Sequence, residues 1–255
     1  MARLITYEFP LNEKIRTLLR LEDAFTKYFQ FVDGASPNEH QAAVAVLFEI
    51  AELGVRTDIK VDLLQELERQ KQVLLGFKDC PDVQVKVLNQ ALLEIESASN
   101  GLLALPGKVG QHIRDNDWLT LIRNRNAIPG GACQFDIPAY HYWLNCPESE
   151  RRKTLKQWIQ PITPVNNALA IVLRLLRESG HVRDVVTPNG IFQTSLTNQT
   201  AQMIRIFLKE SLRPIVPEVS ANKYAINIRF QEAAVNTRPV RLSSELAFQI
   251  SFCSL

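Results

Sequence analysis

The chain has 255 residues and a mass of 28.9 kDa, enough for one large domain or two ordinary ones whose core needs neither disulfides nor metal. At 46% hydrophobic and 22% charged, with 10 Gly and 13 Pro, it excludes the disordered and fibrous classes. A formal charge of +2, from 29 Lys/Arg against 27 Asp/Glu, gives no support to wholesale phosphate binding of the kind a nucleic-acid protein needs.

The first nine residues hold no apolar stretch of secretory length. The longest apolar run, Ala42 to Val55, carries Glu49 and Glu52 and falls short of the roughly 18 residues of a membrane span, so a cytosolic protein is expected. Cys80, Cys133, Cys146 and Cys253 show no C-x-x-C spacing and read as free thiols.

In chain order, Leu4 to Phe9 alternates, with Ile5, Tyr7 and Phe9 on one side, and predicts a strand. Residues 12 to 180 then read as helices. In the first, Ile15, Leu18, Leu19, Glu22, Phe25 and Phe29 share one side, Arg16, Arg20, Asp23 and Lys27 another, and Asn12 is placed to cap it. A second helix runs from about 38 to 53. Leu63, Leu67 and Leu74, then Val85, Leu88, Leu92 and Ile95, predict two amphipathic helices joined by the turn around Pro81. Helical patterns at about 109 to 126 and 138 to 158 flank the turn Ile128-Pro129-Gly130-Gly131. A strongly apolar helix opens at Thr163-Pro164 and stops at Gly180.

After Gly180 the apolar period changes from 3.6 to 2. Ile204, Ile206 and Leu208, then Tyr224, Ile226, Ile228 and Phe230, then Leu246, Phe248, Ile250 and Phe252 predict antiparallel strands, with Lys223 inside the second run. The fold class is therefore α+β: a helical domain over 10–180, inserted between an N-terminal strand and a C-terminal antiparallel β-domain formed by 1–9 plus 181–255.

Little in the chain supports catalysis. Cys133, after the Gly-Gly turn, and His141, eight residues on, are the only nucleophile and base at suggestive spacing for a thiol hydrolase, and no pattern places a third orienting group. The four histidines lie far apart and no phosphate-binding loop occurs, so neither metal nor cofactor is expected.

Charge is more informative when divided. Residues 181–255 hold eight Lys/Arg against five Asp/Glu, and the first 180 hold 21 against 22. Alternation places Lys223 with Arg229 on one strand face and Arg205 with Lys209 on another, while Arg123 and Arg125 precede the Pro-Gly-Gly turn. That distribution fits either an ordinary solvated sheet face or an anionic peptide laid on a basic sheet or sheet edge, and is too small to predict nucleic acid.

Several separated motifs then resemble one family. They are Pro10-Leu11-Asn12-Glu13-Lys14 with Arg20-Leu21-Glu22, the stretch Leu63 to Gln70, Ile128 to Pro138 running into His141-Tyr142-Trp143-Leu144, Asn189 to Gln193, and Lys223 to Phe230. In this order they are similar to ZapD, the family of Z-ring-associated cell division proteins, from the first strand to the last. The resemblance implies a non-enzymatic cytoplasmic homodimer, recruited to midcell, that binds the C-terminal peptide of the tubulin-like protein FtsZ and bundles its protofilaments. It places partner binding at Arg20, His141, Lys223 and Arg229. Charge and placement add Arg16, Arg56, Arg123, Arg125 and Arg205. The chain departs from the family in having Ala132 in the Gly-Gly turn, a lone Cys253 near its end, and Asp117 in the segment before the turn.

Overall fold

A computed structural model describes residues 3–56, 58–78, 80–81, 83–195 and 201–255. The chain forms two compact units, one of Met1–Arg16 with Arg174–Leu255 and one of Thr17–Leu173, so the division runs through the first and last long helices.

In the β-unit, β1 (Leu4–Pro10), β4 (Met203–Lys209), β8 (Leu246–Cys253) and β2 (Val182–Thr187) form one antiparallel sheet in the order β1-β4-β8-β2. A second sheet has the order β3 (Ile191–Ser195), β6 (Ala225–Glu232), β5 (Ile215–Ala221), with the two-residue β7 (Val240–Arg241) also on β6. Both chain ends thus enter one sheet, because β1 pairs with β4 in the register Tyr7↔Ile206 and Phe9↔Ile204.

That register directs Tyr7 and Phe9 to the same core as Ile204, Ile206, Leu208, Ile226, Ile228, Phe230, Leu246, Phe248 and Ile250. The Phe230 and Phe248 rings lie 4.8 Å apart, and Phe192 meets Phe248 edge-on at 5.7 Å. Each such side chain removed from water contributes about 1.5–3 kcal/mol. On the opposite face of the first sheet, Gly180 approaches so closely that a Cβ there would collide with Ser251 Oγ.

In the helical unit and its ends, α1 (Glu13–Asp33), α2 (Pro37–Arg56), α3 (Ile59–Leu75), α4 (Val85–Leu103), α6 (Asp117–Asn126), α8 (Glu148–Ile159) and α9 (Thr163–Glu178) are joined by the shorter α5 (Gln111–Arg114) and α7 (Pro138–Leu144). Local chemistry sets their starts. Asn12, Asp58 and Asn116 accept from the backbone N–H three residues on. Ser36 and Glu39 form a reciprocal capping box ahead of Pro37, with the Ser36 N–H donating to Glu39 at 2.9 Å and the Glu39 N–H to Ser36 Oγ at 3.2 Å.

The predicted helix over 109–126 is broken at Asp115–Asn116, where Asn116 caps α6, and that over 138–158 is broken at Pro147. The buried stripe of α1 also differs from the expected one: Leu18, Leu21, Phe25, Tyr28 and Val32 are inside, whereas Phe29 is 37% exposed. These positions recur at 3-4-3-4 spacing, a straighter seam than one that had to admit Glu22. The stretch Glu148–Glu178 reaches the length and apolar composition of a membrane span, and half of that window is buried in the protein.

Polar groups are built into this helical core. The Tyr28 hydroxyl donates to the Leu155 carbonyl at 2.8 Å. His40, fully buried, lies 3.0 Å from the Gly34 carbonyl through Nε2 and accepts from Arg151 Nε at 2.9 Å through Nδ1, which makes it a neutral imidazole protonated on Nε2. Arg151 also donates to the carbonyls of Ala35, Leu144 and Cys146, tying the α1–α2 loop to the α7–α8 loop.

Candidate partner-binding surfaces

The β5–β6 hairpin turns on Asn222, whose Oδ1 accepts from the N–H groups of Tyr224 (2.8 Å) and Ala225 (2.9 Å). Lys223 therefore sits in this turn and not within β6, as its alternation with Tyr224 suggested. Its ammonium lies 4.8 Å from the ring of Tyr224, a residue 61% exposed. Arg229 is in mid-β6 and exposed, in register with Glu218 on one side and Ile191 on the other. Glu218 accepts from Gln231 at 2.7 Å, and Arg229 has no ion-pair partner among the described residues.

Arg205 has a different setting. Its Nε donates to Glu8 at 3.0 Å, and Arg177 of α9 donates to both oxygens of the same carboxylate at 2.8 Å. Burial pushes the Glu8 carboxyl up, and the hydrogen bonds and charges of Arg177 and Arg205 outweigh it to hold the group below the usual carboxylate range. Arg16 pairs with Glu13 at 3.0 Å and lies 5.9 Å from the Phe9 ring.

In the helical unit, exposed Arg20 is on the rim of an α1–α2 groove of about 440 Å³, floored by Ala24, Phe48 and Leu53 and flanked by Asp23, Glu49 and Glu52. Arg56 ends α2, and its side chain lies outside the described residues. Arg123 and Arg125 fall in the last turn of α6; Arg125 is 3.7 Å from Asp136, and Arg123 is half-buried. His141 is exposed on α7, its ring 3.4 Å from the Asn145 amide. Nearby in the chain, Tyr140 and Trp143 of α7 form one aromatic cluster with Trp118 and Trp158, neighbouring ring centroids lying 5.4–6.0 Å apart.

Cys133 is exposed in the turn before α7. No hydrogen bond joins it to His141 among the described residues. The described residues also bring together no group of three His, Cys, Asp or Glu suited to a metal ion. Sequence reasoning missed the exposed Tyr224 beside Lys223; a tyrosine in an Asn-led turn is the signal for it.

Among the described residues these surfaces present cations on a hairpin and on helix faces. Comparison with known proteins gives the family. The ZapD model, described as a cell division protein, matches residues 19–229. A cell division protein ZapD of Aromatoleum aromaticum is 49% identical over 251 residues, 98% of each chain. One from Azoarcus sp. strain BH72 is 48% identical over 252 residues, covering 99% of this chain and all of the relative, and one from Dechloromonas aromatica is 49% identical over 255 residues, with 99% and 100% covered. The chain belongs to the ZapD family of cell division proteins.

Proposed function

We propose that this protein binds the C-terminal peptide of FtsZ through Lys223 and Arg229 and, as a homodimer, cross-links FtsZ protofilaments into bundles at the midcell Z ring. It does so in the cytoplasm, without a cofactor, catalysis, nucleic acid or membrane. The observation that carries this reading is Arg229, an exposed cation in register with a Glu218 already engaged by Gln231. Family membership supports the cell division role.

The remaining basic residues divide by their partners. Arg20, Arg123 and His141 are assigned to a second filament contact, together with Arg56. Arg16 and Arg125 are already in exposed pairs within the chain, worth about 0–1 kcal/mol, and Arg205 is held in a partly buried pair with Glu8, so these three contribute less. Bundling needs two sites on one rigid particle, and a two-fold dimer supplies them, raising avidity roughly 10²–10⁴-fold over one contact where geometry allows.

Co-pelleting with FtsZ, with and without its C-terminal tail, tests the reading. Bundling that persists without the tail would place the anchor elsewhere. The thiol-hydrolase alternative is tested by Cys133→Ala, which is expected to leave bundling intact.

A further inference from the structure

Four strands close the two main sheets, and three of them are guarded against pairing with another chain. β1 carries Glu8 and Pro10, β2 carries Arg183 and Asp184, and β5 carries Pro217 and Glu218. Charges and prolines on an edge are the usual means of keeping it unpaired. β3, Ile-Phe-Gln-Thr-Ser, has neither.

The ladder phase shows what this edge offers. The Phe230 N–H donates to the Gly190 carbonyl at 2.8 Å, so residues 190, 192 and 194 exchange bonds with β6 and the alternate residues turn their backbone groups outward. Of these, the Ile191 carbonyl accepts from the Thr187 hydroxyl. Gln193, an exposed residue, presents both its N–H and its C=O to the edge, the donor–acceptor pair that strand addition uses. Two cations lie near it: Arg229 stands across from Ile191, with Glu218 on the far side of Arg229, and Lys223 is in the turn just before Ala225, the partner of Ser195.

We propose that the β3 edge takes an extended acidic peptide as an added strand, hydrogen-bonded through the Gln193 N–H and C=O, with its carboxylates on the face that carries Arg229. This rests on the peptide-binding reading above and adds how the peptide is held: its main chain gives the affinity and its charges set direction and register.

The test uses the whole protein and the FtsZ C-terminal peptide, made as a series N-methylated at successive positions and read by fluorescence polarisation. N-methylation leaves every charge in place and removes one backbone donor. A methyl group at the position whose N–H meets the Gln193 C=O is expected to weaken binding about tenfold, and one at either neighbouring position less than about twofold. Gln193→Pro, which removes only an outward N–H, is expected to weaken the parent peptide about tenfold with an unchanged circular dichroism spectrum.

If every methylated peptide binds like the parent while Arg229→Glu loses binding, the peptide is clamped by side chains and strand addition is overturned, with the peptide-binding reading intact. If the parent peptide fails to bind the wild-type protein, both readings fall. A change in the sedimentation of Gln193→Pro alone would assign the edge to a second copy of the chain and overturn the proposal.

Discussion

Every nitrogen of the Arg151 guanidinium has an acceptor, three of them carbonyls in the two loops it joins and one the Nδ1 of His40. Arg151→Met would leave these acceptors buried and unpartnered, and a loss of about 3 kcal/mol or more in urea unfolding is expected. The same pair sets a pH dependence. Burial first, then the Arg151 charge, lowers the His40 pKa from its ordinary 6.5, so the folded state holds the neutral ring while the unfolded chain takes up a proton. Stability is therefore fully present above about pH 6.5 and is lost as pH falls through that value toward the folded pKa. The unfolding midpoint should drop between about pH 7.5 and about pH 5.5, and the drop should flatten in His40→Gln. At the surface, reversing Lys223 and Arg229 to Glu is expected to lower peptide affinity at least tenfold by fluorescence polarisation while leaving the fold unchanged.

Elements differ in how plainly they announce themselves. β1, β4, β6 and β8 alternate in sequence because each has one face in the shared core, and their inward residues are those of the observed cluster. β2, β3 and β5 did not read as strands: β2 is exposed at four of six positions, β3 has five residues, and β5 contains Pro217, tolerated because the strand is at an edge. In α1 the expected Ile15, Leu18 and Phe25 are buried, whereas Tyr28 replaces Phe29 in the core because only packing decides between them. Leu21→Ala is accordingly expected to cost about 2–5 kcal/mol and Phe29→Ala much less, measured by thermal or urea unfolding. Ser36→Ala, which dismantles the α2 capping box, should cost about 1 kcal/mol. The candidate site was legible as residue types and not as availability. Arg205 and Arg229 look alike in sequence, yet Glu8, far away in the chain, engages the first, while Glu218, in register with the second, accepts from Gln231.

At the scale of the whole molecule, an average charge of +2 conceals cations that are open and cations that are paired. Binding carried by the open ones should weaken with salt, because the Debye length falls from about 10 Å at 0.1 M to about 3 Å at 1 M. Sedimentation of FtsZ bundles at the two ionic strengths checks this, and bundles insensitive to salt would argue for an apolar contact instead. The aromatic cluster of α6, α7 and α8 has an optical consequence. It holds all three tryptophans of the chain, 118, 143 and 158, so the β-unit has none and its tyrosines are Tyr7 and Tyr224. Tryptophan emission is thus a built-in, label-free reporter of the helical unit alone. A partner that repacks α6, α7 or α8 would perturb it, and the change can be read before any residue is replaced.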